Sequence, residues 1–323
     1  MNAYLETLAA AWQEHLAPRS VDAPTVISTF AGCGGSSLGY SMAGYRELLA
    51  VEWDDNSVAT FKLNFPAVPI YHNDIAKLSI AECMKLADLT EQVQLDVLDG
   101  SPPCQGFSMA GKRNIQDDRN QLFHEYVRLL RGLRPKVFVM ENVSGMIKGK
   151  MKLIFAEIMR ELKASDYRIS TRLMNAMYFN VPQSRERLIF IGVRNDIRIA
   201  PSHPRPESKP ICALCATNDV VDSIKNPSKW RDFNLAKRRL KHHKPSPTLD
   251  SNMLVPGSGA PFDLSGVRIG AERYAVISSF PMNFQFMGGW KHKMVRVGNS
   301  VPPLFMRAIA RHIRKEVLAR TVV

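Results

Sequence analysis

Between Thr25 and Val193 short β-rich runs alternate with amphipathic segments, and this alternation constrains the fold more than any other feature of the chain. Residues 26–30, 48–53, 95–98, 137–140 and 188–193 read as strands. Between them, residues 119–133 place Leu122, Tyr126, Leu129, Leu130 and Leu133 on one helical stripe. A second helix is expected to open at Ser36 or Ser37. Strands alternating with helices predict a parallel sheet covered on both faces, an α/β doubly wound architecture.

The alternation stops after Val193, where Pro201, Pro204, Pro206 and Pro210 forbid a helix interior or a central strand. Residues 229–244 follow, rich in Lys and Arg and containing Trp230, Phe233, His242 and His243; Pro256, Gly257, Gly259 and Pro261 then mark irregular loops. Residues 303–318 form a last apolar-periodic segment, expected to return as a helix and close the first domain. The expected organisation is an N-terminal helical extension at 1–22, a main domain made of 23–195 plus 275–323, and a small basic domain at 196–274.

Charge divides along the same line. Through Arg187, 21 Lys and Arg balance 21 Asp and Glu, whereas the remainder carries 22 against 9, so the net charge of +13 belongs to the C-terminal part. Such an asymmetry predicts a polyanionic partner, most simply nucleic acid. No apolar run reaches the length of a membrane span and the first twenty residues lack a secretory pattern. Five irregularly spaced cysteines make no disulfide framework. The expectation is a soluble cytoplasmic protein with free thiols.

Three strand ends carry chemistry. Gly100-Ser101-Pro102-Pro103-Cys104-Gln105 follows the third strand, and two prolines fix the backbone just before the sulfur. An isolated Pro-Cys pair is more often packing than catalysis, so Cys104 gains meaning only from its neighbours. Strand ends in open α/β sheets face the ligand crevice. The first strand ends in Phe30-Ala31-Gly32-Cys33-Gly34-Gly35, where glycines let a ligand approach the backbone at a helix N-terminus. Seventeen residues after Gly35, Glu52 is placed to bind ribose hydroxyls and Trp53 offers a flat face to an adenine, which together point to a nucleoside-containing cofactor. Glu141-Asn142-Val143 closes another strand, and Gln183-Ser184-Arg185-Glu186-Arg187 precedes the next. A thiol, a carboxylate and two guanidinium groups are what attack on an electron-poor pyrimidine requires: a thiolate for carbon 6, an acid at ring N3 and the exocyclic amine, a cation at the carbonyl oxygen.

In these motifs and their order the chain resembles the cytosine carbon-5 DNA methyltransferases, over nearly its whole length. Asp118-Arg119-Asn120-Gln121-Leu122 and Gly298-Asn299-Ser300-Val301-Pro302-Pro303 are similar to further motifs of that family. The resemblance implies a Rossmann-like methyltransferase domain with a small, irregular target-recognition domain. It implies S-adenosyl-L-methionine as cofactor, held by Phe30, Gly32, Gly34, Gly35, Glu52, Trp53, Asp74, Ile75, Pro103, Leu122, Asn299 and Val301, with the final segment folding back to complete the pocket. It implies Cys104, Glu141, Arg185 and Arg187 as catalytic residues, and methyl transfer to carbon 5 of a cytosine flipped out of double-stranded DNA. Residues 105–120 resemble the loop that closes over the flipped base, with Gln105, Ser108 and Lys112 as DNA contacts.

Between Arg187 and Lys244-Pro245-Ser246-Pro247-Thr248-Leu249 only about 60 residues separate motifs that in this family flank the recognition region. So short a reader can make few base contacts, each worth about 1–3 kcal/mol of discrimination, so a short or relaxed target is expected. Lys237, Arg238, Arg239, Lys241 and Lys244 form a dense cationic run suited to phosphates rather than bases. Cys212 and Cys215, a lone Cys-x-x-Cys near His203, His242 and His243, do not amount to a zinc signature, and no metal is expected. The expected assembly is a monomer in a bacterial or phage-infected cell, with a restriction endonuclease as a natural companion. Three competing readings are a tRNA cytosine methyltransferase, disfavoured because the recognition region lacks a Cys-Phe-Thr tripeptide, a catalytically silent DNA-binding homologue, and an enzyme like thymidylate synthase, disfavoured because the cofactor residues suit an adenosyl group.

Overall fold

The computed structural model describes residues 2–90, 93–103, 118–147, 151–220, 240–241, 243–249 and 269–321, with side chains omitted at 118–120. Among these residues seven strands make one sheet: β1 Thr25–Thr29, β2 Arg46–Glu52, β3 Ile70–His72, β4 Val97–Gly100, β5 Val137–Val143, β6 Tyr167–Asn175 and β7 Glu186–Arg194. Among the described residues ten helices accompany them: α1 Ala3–Leu16, α2 Gly35–Met42, α3 Asp55–Asn64, α4 Ile80–Leu86, α5 Asp118–Leu133, α6 Met151–Lys163, α7 Ala213–Thr217, α8 Ala271–Ile277, α9 Trp290–Asn299 and α10 Pro303–Glu316.

The strand order is β3-β2-β1-β4-β5-β7-β6. The chain winds outward from β1 in one direction and from β4 in the other, so the loops leaving these two strands diverge and open a crevice at their C-terminal ends. Every pair from β3 to β5 is parallel, whereas β7 runs antiparallel to both β5 and β6. The all-parallel expectation therefore fails at one edge, where β6 and β7 join as an antiparallel pair.

Successive side chains of each central strand go to opposite faces. Val26, Ala50, Val97, Val137, Val139, Ile189 and Ile191 enter a core shared with α1, α2 and α10. Ile27, Leu49, Val51, Leu98, Phe138, Met140 and Phe190 enter a second core with α4, α5 and α6. Burial on both faces explains why apolar residues occupy consecutive positions in these strands rather than alternate ones. Helix α10 returns as the sequence predicts: Pro303 occupies its first turn, and Leu304, Phe305, Met306, Ile309 and Ile313 are fully buried. It crosses α2 at Gly39, where an added Cβ would lie 2.6 Å from Met306 Cβ and 2.7 Å from the Pro303 carbonyl oxygen. Among the described residues, no helix is long and apolar enough to cross a membrane.

Candidate active site

The loop after β1 begins with Phe30 at a φ of 54°, a left-handed conformation that a bulky residue adopts only under constraint. Gly34 follows at φ 96° as the N-cap of α2. Gly35 meets the C-terminal segment so closely that a Cβ there would lie 2.5 Å from the Val301 carbonyl oxygen. Residues 298–301 thus fold back over the first turn of α2, and the Ser300 hydroxyl lies 3.2 Å from Cys33 Sγ.

These segments enclose a cavity of about 440 Å³. Of the residues expected around a cofactor, Phe30, Gly32, Glu52, Trp53, Pro103, Asn299 and Val301 line it, as does Gly35. Glu52 is buried at the end of β2: Oε2 accepts the Gly32 N–H at 2.8 Å, and Oε1 accepts those of Trp53 and Asp54 at 2.9 Å. Three N–H donors fix the carboxylate, with lone pairs to spare for a ligand. Trp53 is 76% exposed and presents its ring at the rim. Gly34 sits behind the wall as a turn residue. Asp74, Ile75 and Leu122 are absent from the lining: Asp74 is exposed and caps a short 3₁₀ turn, Ile75 is buried in the second core, and Leu122 packs against that core.

Sequence reasoning missed a clamp across this cavity. The Arg296 guanidinium on α9 pairs with Asp54 at 3.0 Å and donates to Ser57 Oγ at 2.8 Å. Burial raises the Asp54 pKa, but the Ser57 N–H and the Arg296 charge outweigh it, and the net displacement is downward. No local pattern marks residues 54 and 296 as partners, because only the closed fold brings α3 and α9 together.

The second half of the crevice lies beyond β4 and β5. Glu141 sits within β5, which runs three residues further than its apolar pattern suggests. Its Oε1 lies 2.6 Å from Arg187 Nε on β7, both side chains being largely enclosed. The ladder places Val143 opposite Arg187, so antiparallel pairing of β5 with β7 brings this acid and base together. Asn142 donates to the Pro102 carbonyl at 3.1 Å, tying the end of β5 to the Pro-Pro step before Cys104.

Arg185 is buried and donates to the carbonyls of Leu249 at 2.8 Å and Gly298 at 2.9 Å. Gln183, fully buried, accepts the Leu249 N–H and donates to Ser278. The Gln-Ser-Arg run therefore staples 243–249 and the C-terminal return to the main sheet. Cys104, Gln105, Ser108, Lys112, Lys237, Arg238 and Arg239 lie outside the described residues; Lys241 is exposed. Among the described residues no group of three or more His, Cys, Asp or Glu is clustered for a metal.

Beneath α2 lies a polar pocket that sequence reasoning also missed. Asp99 of β4 is buried, accepts from Tyr40 Oη at 3.3 Å and bonds Ser36, while Glu47 of β2 accepts from Ser37 Oγ at 2.8 Å. Burial pushes Asp99 up to about 8, with the Glu47 charge adding to it, and burial pushes Glu47 up to about 7.

A profile of the C-5 cytosine-specific DNA methylase family matches residues 24–254. The type II methyltransferase M.XorII of Xanthomonas oryzae pv. oryzae is 30% identical over 362 residues, covering 90% of this chain and 85% of that one. M1.HphI of Haemophilus parahaemolyticus, also a type II methyltransferase, is 32% identical over 330 residues, covering 90% and 87%. In fold, an E. coli prophage protein assigned as a DNA modification methyltransferase superposes with a TM-score of 0.75 at 24% identity, covering 91% of this chain and 99% of that one. A Spodoptera frugiperda DNMT2 variant gives 0.71 at 18% identity, covering 90% and 99%. With the profile spanning most of the chain and relatives 30% and 32% identical over 90% of it, the protein belongs to the C-5 cytosine-specific DNA methylase family and is a DNA cytosine-5 methyltransferase.

Proposed function

We propose that the enzyme methylates a cytosine flipped out of duplex DNA, with S-adenosyl-L-methionine in the cavity between α2 and α9 and Cys104 as the covalent nucleophile. One observation carries this reading: Asn142 joins the Glu141–Arg187 pair to the Pro102 carbonyl, two residues before Cys104 in the sequence, beside a cavity that Pro103 itself lines.

The cavity fits the cofactor chemically. Its volume is that of a nucleoside-sized ligand site, Glu52 offers oxygens to ribose hydroxyls, and Trp53 offers a face to the base. The bare Gly35 lets Ser300 and the Val301 carbonyl close the wall of the cavity. When bound, the sulfonium supplies an electrophilic methyl group. The protein supplies the rest. The Cys104 thiolate adds to carbon 6 of the cytosine, Glu141 bonds N3 and the exocyclic amine as charge develops there, and Arg185 and Arg187 position the sulfur and the ring oxygen. Carbon 5 takes the methyl group and then loses its proton, and the electron pair of that bond expels the sulfur. Flipping the base costs a few kcal/mol, offset by contacts to the extruded nucleotide.

Residues 23–195 plus 275–323 form the catalytic domain in this reading, and 196–274 the target-recognition domain. Its small size supports a short target, which bisulfite sequencing of modified DNA would contradict by returning one long, strict motif. The enzyme acts as a monomer in the cytoplasm, and its type II relatives suggest a place beside a restriction endonuclease. Incubation with tritiated S-adenosyl-L-methionine and either duplex DNA or tRNA, followed by nucleoside analysis, tests the proposal. Label in 5-methyldeoxycytidine is expected; label confined to RNA, or none, would overturn it.

A further inference from the structure

The Cys-x-x-Cys pair takes no part in the chemistry above, yet it is built as a unit. After the proline-interrupted stretch, Cys212 is the N-cap of α7, with an extended backbone and its Sγ accepting the Cys215 N–H at 3.3 Å. Caps at such positions are normally oxygen-bearing side chains, and sulfur accepts well only as a thiolate. The Cys215 N–H is the hydrogen bond seen at this sulfur, and the Cys215 thiol and the N–H groups of His243 and Leu214 favour its charged form. His243 itself is left-handed, φ 59°. Burial raises the Cys212 thiol, but these donors outweigh it and bring it below the ordinary cysteine value; Cys215, which gives its proton to that bond, is raised. Cys215 is exposed and Cys212 half-exposed, whereas Cys33 and Cys83 are buried.

We propose that Cys212 and Cys215 form a reversible intrachain disulfide in exchange with low-molecular-weight disulfides of the glutathione type, and that closing it weakens DNA binding. Three residues apart at a helix start, their Cα atoms are about 5 Å apart, within the window a disulfide spans. Cys212 thiolate attacks one sulfur of the small disulfide, forming a mixed disulfide and releasing one thiolate. Cys215, giving up its proton, attacks the Cys212 sulfur and releases the second. Two protein thiols are oxidised, one small disulfide is reduced to two thiols, and the two protons pass to them.

Closure reaches the DNA-binding side through the backbone. A disulfide sulfur is a poor acceptor, so the Cys215 N–H loses its partner. Ala213 donates to the Lys244 carbonyl at 3.0 Å, so α7 and the 243–249 segment move together. That segment bonds Ser184 through Ser246 and holds Arg185 through Leu249. The effect on DNA rests on the functional reading above, whereas the disulfide itself does not.

The test therefore has two separate readouts. The Cys104→Ser enzyme, whose other thiols are the buried Cys33 and Cys83, is equilibrated in mixtures of oxidised and reduced glutathione, digested and mapped by mass spectrometry. A linked 212–215 peptide, 2 Da lighter than the dithiol and restored by dithiothreitol, is expected. Gel shifts on a genomic DNA fragment should then show severalfold weaker binding by the oxidised enzyme, and no change for Cys104→Ser/Cys215→Ser under the same mixtures. Absence of the linked peptide overturns the site, as does stoichiometric zinc that Cys215→Ser removes. A linked peptide with unchanged DNA affinity overturns the coupling.

Discussion

In the mechanism we propose, the Glu141–Arg187 contact concentrates the catalytic demand on two side chains. Each is largely removed from water, so each depends on the other for compensation. Arg187→Ala would strand a carboxylate that is 11% exposed, and a loss of about 3 kcal/mol in urea unfolding is expected. Glu141→Gln keeps the shape but removes the acid, and kcat should fall about 10²–10³-fold. Adding Glu141→Gln to Arg187→Ala should recover part of the lost stability, since no buried charge is then left alone. A double-mutant cycle giving strictly additive losses would show that the 2.6 Å contact carries no coupling. Cys104→Ser is expected to abolish turnover while duplex binding persists, read by paired methyl-transfer and gel-shift assays; residual methylation near the native rate would remove Cys104 from the mechanism.

At the scale of elements, the crossing of α2 and α10 fixes the cavity we propose for the cofactor, because α10 anchors the return segment that covers Gly35. Gly39→Ala tests it. Alanine gains about 1 kcal/mol of helix propensity over glycine, but its Cβ would press on the Pro303 carbonyl oxygen and the Arg307 amide at 2.7 and 2.8 Å, backbone atoms that cannot rotate away. Overpacking wins, and a net loss of about 1–2 kcal/mol with weaker S-adenosyl-L-methionine binding is expected from urea melts and calorimetry. Five strands and the helices over 119–133 and 303–318 were legible because periodicity and two-sided burial leave marks along the chain. β3, three residues long, is too short to show a pattern. β6 escaped because it is a sheet edge, where Arg168, Ser170, Thr171 and Arg172 interrupt its apolar positions. Direction was illegible as well: nothing in residues 186–194 says that they run antiparallel to β5, yet that reversal sets Arg187 against Glu141. The motif residues were readable one by one, whereas the Arg296–Asp54 clamp exists only between elements distant in the chain.

Over the whole molecule, the pocket under α2 makes stability depend on pH in an unusual direction. Asp99 of the strand leading to Cys104 and Glu47 beside it are enclosed by Ser28, Ser36, Ser37 and Tyr40. Their pKa values of about 8 and about 7 lie above the ordinary carboxylate range, so the folded protein binds protons that the unfolded chain has released. Between about pH 4 and pH 8 the unfolded state therefore holds fewer protons, and stability falls as pH rises, by at most about 1.4 kcal/mol per unit for each proton. The Glu47 charge adds to the rise at Asp99, so the release of the Asp99 proton depends on whether Glu47 is already ionised. Burial lowers the pKa of His15, His203 and His312, which works in the opposite sense: their contribution is lost as pH falls below the ordinary histidine value. The comparison with Asp99→Asn cancels the histidines. Asparagine resembles the neutral carboxyl in shape and can still accept from Tyr40, so the variant should be the more stable protein at pH 8 relative to its own value at pH 6. Urea unfolding across that interval should give a shallower decline for the variant than for the wild type. Parallel declines would mean that the pair is ionised in the folded protein, and that the enclosure around Asp99 admits water.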